Sequence, residues 1–161
     1  MKVAVIMGSL SDLNKVEPMI EILKNFGVEV DVKCLSAHRA HDELVEYVKQ
    51  TENNGVEVII AAAGMAAALP GVIAAITTVP VIGVPISSKN LEGVDALLSI
   101  VQMPTGIPVA CVAIDGTKNA GYLALEILGI KYSNVKQKLV EERENMKKQA
   151  LLANEELQNR F

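Results

Sequence analysis

The chain has 161 residues, of which 50% are hydrophobic and 21% charged, and its net charge is −4. This length and composition predict a single globular domain rather than a disordered chain. The acidic balance argues against nucleic acid or an anionic membrane as a partner, but a phosphorylated metabolite needs only one local positive site.

The first half of the chain alternates strand patterns with helix patterns. A continuous apolar run over residues 3–7 predicts a strand buried on both faces, as in a parallel sheet. Apolar residues at helical spacing over 16–26 predict a helix that kinks at Pro18 or begins near Glu17. Residues 28–35 predict the second strand, and a helix that includes Leu44 and Val48 follows.

The second half continues the alternation. Residues 56–63 predict the third strand, and 69–76 a helix with Pro70 in its first turn. The remaining predictions are strands over 80–84 and 107–114 and helices over 91–101 and 120–128. Five strands alternating with helices predict an α/β fold, a three-layer, doubly wound parallel sheet with flavodoxin-like strand order.

The C-terminal segment differs from the rest. Ser133 can cap a long polar helix that runs to residue 159 and carries only a thin apolar stripe. We therefore predict one domain over 1–161, with an α/β core over 1–130 and a C-terminal helix over 133–159. That helix either lies on its own domain or packs on a neighbouring subunit of a homo-oligomer.

Membrane and export signals are not evident. The apolar segment 56–84 is interrupted by three glycines and two prolines, so no transmembrane helix is predicted. No signal-peptide pattern precedes the first strand. The two cysteines, Cys34 and Cys111, lie in apolar runs, which predicts reduced, buried thiols in a cytoplasmic protein.

Polar loops follow the predicted strands and should meet at one edge of the sheet, where doubly wound folds bind ligands. In the first loop, Ser9, Ser11 and Asp12 precede a helix, whose N-terminus can bind an anion. Ser11 or Asp12 could equally be a simple helix cap. Asp12 would repel a phosphate, so its better role is to accept hydrogen bonds from sugar hydroxyls.

The second loop holds both histidines of the chain. Arg39 can bind a phosphate or carboxylate through two parallel hydrogen bonds, or it can pair on the surface with Asp42 or Glu43. His38 is suited to proton transfer near neutral pH. Because Ser36 and Arg39 lie beside His38 at a strand end, we favour a functional role for this loop.

Other site types are less well supported. His38 and His41 could ligate a metal with Cys34 or Asp42, but no third ligand is evident, so no metal site is predicted. A flavodoxin-like nucleotide-binding module that holds FMN is the non-enzymatic alternative. Only 3% of the residues are aromatic and tryptophan is absent, so a flavin would lack its usual stacking partners.

Six segments together resemble the PurE family. They are MGSLSD (7–12), SAHR (36–39), LPG (69–71), PVIGVP (80–85), LLSIVQMPTGIPV (97–109) and NAG (119–121). The resemblance covers about residues 2–130. No single segment would suffice, but the SxSD, SAHR and SIVQMPxGIPV patterns are specific in combination.

The resemblance implies an isomerase of de novo purine biosynthesis. Such an enzyme converts N5-carboxyaminoimidazole ribonucleotide to 4-carboxy-5-aminoimidazole ribonucleotide by decarboxylation and recarboxylation. The resemblance also implies a flavodoxin-like fold and a homo-octamer whose C-terminal helices reach neighbouring subunits. No metal or organic cofactor is expected.

The resemblance also implies roles for individual residues. Ser9, Asp12 and Arg39 would bind the ribonucleotide, with Ser11 and Ser36 beside them. His38 would be the general acid and base, the proton shuttle between the two half-reactions.

The third loop, within residues 61–68, would line a dry pocket for CO2. The candidate lining residues are Ala63, Gly64, Met65 and Ala68. Met65 replaces a usual glycine of the family and Ala68 a usual histidine, while His41 and Asp115 replace a usual proline and a usual glycine.

Two further enzymatic alternatives stay open. One is direct carboxylation of aminoimidazole ribonucleotide by CO2, as in the second group of the family. The other is a carboxylase or decarboxylase of a different heterocycle, because the third loop also resembles that of the LarB proteins.

Overall fold

In a computed structural model that describes residues 1–161, five parallel strands form one sheet in the order β2-β1-β3-β4-β5. The strands are β1 (Lys2–Met7), β2 (Glu29–Cys34), β3 (Val58–Gly64), β4 (Val81–Ile86) and β5 (Ala110–Cys111). This order confirms the predicted flavodoxin-like sheet. The carboxyl ends of all five strands lie along one edge, as the ligand-site prediction requires.

Six helices connect and cover these strands. They are α1 (Leu13–Asn25), α2 (His41–Thr51), α3 (Leu69–Ala74), α4 (Val94–Val101), α5 (Thr117–Lys131) and α6 (Ser133–Gln158), and a short 3-10 helix (Leu10–Asp12) precedes α1. None of the helices combines the length and apolar character needed to span a bilayer.

The sheet divides the hydrophobic core into two layers. Successive side chains of β1 point to opposite faces, so Val3 and Val5 join one cluster, with α1, α5 and the start of α6. Ala4 and Ile6 join the other cluster, with α2, α3 and α4. Both faces are thus covered by helices, which explains the continuous apolar run that predicted β1.

Several element boundaries differ from the predictions by two or three residues, and those of β5 and α1 involve prolines. The fifth strand is only two residues long, because Pro108 before it and Pro85 on β4 beyond it lack the N–H groups that would extend the ladder. Helix α1 begins at Leu13 and runs through Pro18, so a start near Glu17 was wrong.

The thiols also differ from the prediction. Cys34 is exposed, because it ends the outer strand β2, and Cys111 is only partly buried.

Helix α6 is anchored on α5 along its first three turns, where Glu142 accepts a hydrogen bond from the Tyr122 hydroxyl and Arg143 pairs with Glu126. Val135 is fully buried and Leu139 is 8% exposed, both against the cluster that includes α5. The rest of the helix buries no residue. Its exposed apolar side chains include Val140, Met146, Leu151, Leu152 and Leu157. The helix therefore starts on its own domain and extends from it with an unpartnered apolar stripe.

Candidate active site

A cavity of about 550 Å³ lies at the carboxyl edge of the sheet. Its lining comes from the loops after β1, β2, β3 and β4. It includes every residue that the sequence nominated for the site: Ser9, Ser11, Asp12, Ser36, His38, Arg39, Ala63, Gly64, Met65 and Ala68. The topology thus brings together residues that are far apart in the chain.

A second cavity, of about 690 Å³, is larger but offers less chemistry. It lies beside the start of β4 and the segment before β5, and Lys49 and Glu52 are its only charged lining residues. It contains no histidine, arginine or serine. We therefore place the candidate active site in the smaller cavity.

Hydroxyl groups dominate the first loop of the site. Ser9 caps the 3-10 helix, because its Oγ accepts a hydrogen bond from the Ser11 N–H at 3.3 Å. The Ser11 hydroxyl lies 2.8 Å from the Ser9 Oγ and 3.2 Å from the Asp12 carboxylate. Ser9 thus caps the 3-10 helix. Asp12 is the N-cap residue of α1 but forms no side-chain capping hydrogen bond, so its carboxylate is not occupied by capping.

Asp12 lies partly buried at the rim of the cavity. Burial raises its pKa above the ordinary range, although the Ser11 hydroxyl and the Lys15 charge act in the opposite direction. The Asp115 charge adds to the increase. A carboxylate that lacks strong partners in this setting can accept hydrogen bonds from the hydroxyl groups of a ligand.

Arg39 is directed across the cavity edge rather than toward helix α2. Its Nε donates to the Ser36 Oγ at 3.4 Å and its Nη2 donates to the Gly8 carbonyl oxygen at 3.4 Å. It forms no ion pair with Asp42 or Glu43, so the surface pairing considered from sequence is not found. These long contacts leave most of the guanidinium donors free for an anion.

The two histidines are separated by the start of α2. His38 is exposed on the cavity side and its ring forms no hydrogen bond within the chain. His41 is the first residue of α2, is exposed, and lies outside the cavity lining. Of the two, only His38 is placed to exchange a proton with a ligand there.

The third loop forms an apolar floor of small side chains. Ala63 is 7% exposed, and a Cβ atom added at Gly64 would lie 3.1 Å from the Ile86 carbonyl oxygen, so the backbones of β3 and β4 meet closely. Met65 has a φ of 57° and is 65% exposed. The site therefore combines a polar rim that carries a cation with a floor of alanines that offers no hydrogen-bond donors of its own.

Sequence reasoning missed one charged group close to the site. The Lys15 Nζ lies 3.0 Å from both carboxylate oxygens of Asp115 and 2.6 Å from the Ser87 Oγ. Ser87 lines the cavity and Asp115 lies behind it. The only sequence signal for Lys15 is its position three residues after Asp12, within reach on a helix.

Comparisons with known proteins agree with this picture. The model of the AIRC family, described as AIR carboxylase, matches residues 2–149. A protein of Pyrococcus abyssi named N5-carboxyaminoimidazole ribonucleotide mutase is 58% identical over 147 residues, which are 91% of this chain and 84% of that protein. A protein of Methanocaldococcus jannaschii with the same name is 52% identical over 159 residues, 99% of each chain.

Solved structures give the same result at the level of the fold. The crystal structure of Treponema denticola PurE superposes with a TM-score of 0.89 at 28% identity, over 97% of this chain and 98% of that one. The match of the family model and the identity to the mutases extend over nearly the whole chain. The protein therefore belongs to the AIR carboxylase family.

Proposed function

We propose that this protein is an N5-carboxyaminoimidazole ribonucleotide mutase of de novo purine biosynthesis. Eight relatives that are 46–58% identical to it carry that name. The observation that carries the proposal is the cavity itself, which places an imidazole and a guanidinium at the rim of an alanine floor. The substrate supplies a phosphate for the guanidinium, a sugar for the Asp12 carboxylate, and a carbamate for the imidazole and the floor, and no cofactor is required.

The polar rim accounts for ribonucleotide binding. Arg39 has free donors for the phosphate, and the hydroxyls of Ser9 and Ser36 lie beside it in the cavity. Asp12 accepts hydrogen bonds from the ribose hydroxyls, with Ser11 holding one of its oxygens. This arrangement leaves the base over the third loop, within reach of His38.

The chemistry then needs one proton shuttle and one apolar pocket. Protonated His38 donates its proton to N5 as the N5–carboxylate bond breaks and CO2 leaves. CO2 is held against Ala63, Gly64 and Ala68, where water does not compete for it. C4 then attacks CO2, and neutral His38 removes the C4 proton, which restores the aromatic ring and the protonated imidazole.

We also propose that the protein works as a homo-oligomer, an octamer by the family resemblance. Helix α4 presents an exposed apolar face in which Val94, Leu98 and Val101 are 50%, 56% and 46% exposed. Apolar surface of this kind marks protein interfaces. The second half of α6 offers another such stripe, which packs on a neighbouring subunit.

The direct test supplies N5-carboxyaminoimidazole ribonucleotide and follows formation of the C4-carboxylate. We expect turnover that does not depend on added bicarbonate. Turnover only with aminoimidazole ribonucleotide and bicarbonate would assign the direct carboxylase reaction instead. No reaction with either substrate, from correctly assembled protein, would contradict the proposal.

The histidine pair provides an internal control. His38→Asn should lower kcat by about 10²–10⁴-fold while the ribonucleotide still binds, because proton transfer is lost but the rim is intact. The matched variant His41→Asn removes the other imidazole, three positions away and outside the cavity, and should stay within about twofold of the parent. Equal losses in the two variants, or none in His38→Asn, would refute the proton-shuttle role.

A further inference from the structure

A hydrogen-bonded network of Lys15, Ser87 and Asp115 lies directly behind the active-site cavity. Asp115 Oδ1 accepts a hydrogen bond from the Ser87 backbone N–H at 2.9 Å, and Asp115 Oδ2 accepts one from the Ser87 hydroxyl at 2.6 Å. The Lys15 ammonium donates to both carboxylate oxygens, to the Ser87 Oγ and to the Ser87 carbonyl oxygen at 3.2 Å. Three segments distant in sequence are thus joined at one serine.

The network fixes a wall of the cavity. Ser87 directly follows β4, and Ile86, Ser87 and Ser88 all line the cavity. The backbone N–H, the carbonyl and the hydroxyl of Ser87 are all engaged by the network. A Cβ atom added at Gly93 would lie 3.0 Å from the Ser87 Cα, so the backbone at Gly93 also packs closely on this segment. The segment is therefore held by the network and by this close contact.

The backbone at Asp115 is itself unusual. Its φ of 55° lies in the left-handed region, where aspartate is tolerated but glycine is easier. Its N–H donates to the Pro85 carbonyl oxygen at 2.8 Å, so the backbone is also tied to the end of β4. A side chain retained at a strained position is a reason to look for its function, and here the side chain holds Ser87.

The network also decides where the Lys15 charge lies. Asp12 is three residues before Lys15, and both Lys15 and Asp115 act on the pKa of Asp12, in opposite directions. Because the ammonium is bound by Asp115 and Ser87, it does not form an ion pair with Asp12. The Asp12 carboxylate thus stays available for a ligand.

On the basis of the function proposed above, we infer that Lys15, Asp115 and Ser87 form a positioning network for the ribonucleotide. It fixes the Ile86–Ser88 wall and keeps the Lys15 ammonium away from Asp12. None of the three is a catalytic residue, since the network acts through the wall and through Asp12. The expected effect of breaking it is on binding of the ribonucleotide more than on turnover.

The test measures binding and turnover separately, in the assembled protein. Asp115→Asn keeps the size and tolerates the left-handed backbone, and Lys15→Met keeps the length without the charge. We expect each variant to raise two constants by about tenfold, the effect of losing one charged hydrogen bond. One is the Kd for aminoimidazole ribonucleotide, measured by calorimetry without bicarbonate. The other is the KM for the carbamate. The kcat should stay within about twofold.

Two control variants complete the set. Lys15→Arg can still pair with Asp115 and should restore most of the affinity. Lys118→Met removes an exposed lysine that forms no ion pair and should leave Kd unchanged. If Lys118→Met weakened binding as much as Lys15→Met, the effect would be one of net charge and the network would have no specific role.

The pH dependence of Kd gives a readout that a purely structural role would not move. The groups around Asp12 that carry charge or exchange protons are Lys15 on α1, Asp115 before α5, and His38 and Arg39 in the same cavity lining. Lys15→Met removes a charge that lowers the pKa of Asp12. As the solution is acidified, this variant should therefore lose binding at a higher pH than the parent protein does. Asp115→Asn removes a charge that raises this pKa, so the loss should move to lower pH.

The outcomes are separable. The inference would be overturned if both variants kept the parent's Kd and lost binding at the same acidic pH as the parent. It would also be overturned if kcat fell only in proportion to the fraction of unfolded protein. If the parent protein bound the ribonucleotide but did not turn over the carbamate, the proposed function would fail. Weaker binding by the two variants, with opposite pH shifts, would then still support the network.

Discussion

Single residues set the chemistry of this site, and among those that line it Met65 has the least favourable backbone conformation. Its φ of 57° is unfavourable for a side chain with a Cβ, at a cost of about 1 kcal/mol or more. At 65% exposure, its side chain recovers little of that cost by burial. The methionine in this loop therefore weakens the fold locally, and its exposed side chain lines the cavity together with the alanines.

Replacing Met65 by glycine tests this interpretation. Met65→Gly should raise the free energy of unfolding by roughly 1 kcal/mol, because glycine adopts the left-handed conformation without strain. Chemical denaturation measures the change. Met65→Ala shortens the side chain but keeps the Cβ, so it should give no increase. A similar increase in both variants would mean that the side chain, not the backbone, is responsible.

At the scale of elements, the close approach of α4 to β4 positions the wall of the site. A Cβ atom on Gly83, in the middle of β4, would lie 2.5 Å from the Ile100 Cγ2 and 2.9 Å from the Val109 Cγ1. The absence of a side chain at Gly83 thus lets the helix lie directly on the strand that leads to Ser87. Larger residues here would separate the two elements.

Gly83→Ala should therefore lower the free energy of unfolding by about 1–3 kcal/mol through overpacking. Ile100→Ala removes the nearest atom and should be destabilising alone, but it opens space for the new methyl group. The double variant should accordingly be more stable than the sum of the two single effects predicts. Strict additivity, measured by denaturant unfolding, would show that Ile100 is not the source of the crowding.

At the scale of the whole molecule, the proposed association of copies depends on the exposed apolar faces of α4 and α6. Helix α4 packs on β4 and β5, at the opposite edge of the sheet from β2. The face formed by Val94, Leu98 and Val101 points away from these strands. Burying this face against another copy removes apolar surface from water, with a gain that grows with the area.

Leu98→Lys should dissociate the proposed oligomer, because assembly would bury an unpaired ammonium. Sedimentation velocity measures the result as a shift toward smaller species. Val32→Lys introduces the same charge at another exposed apolar residue, on the outer strand β2, and should leave the assembly intact. An unchanged sedimentation coefficient for Leu98→Lys would exclude this face from the interface.

Periodicity predicted five strands that alternate with helices, and loop chemistry predicted the polar residues of the site, since both depend on local sequence patterns. The strand order came from fold analogy, and the CO2-pocket role of the third loop came from the family resemblance. The predicted length of β5 was wrong, because the limits of the strand are set by Pro108 before it and by Pro85 on the neighbouring strand β4. The exposure of Cys34 depends on which strand is outermost, which no local pattern reveals. The Lys15 network joins residues 72 and 100 positions apart, so only the folded chain brings it together.

The run of alanines on β3 that leads to the floor of the cavity has a consequence for how the protein tolerates mutation. Residues 61–63 are all alanine, nearly or fully buried, on the strand between β1 and β4. Ala61 faces one core layer and Ala62 the other, so neither side has room for a larger side chain. In a library of random variants this short segment should be among the least permissive. The exposed second half of α6, which buries nothing within one chain, should diversify freely except where it meets another copy.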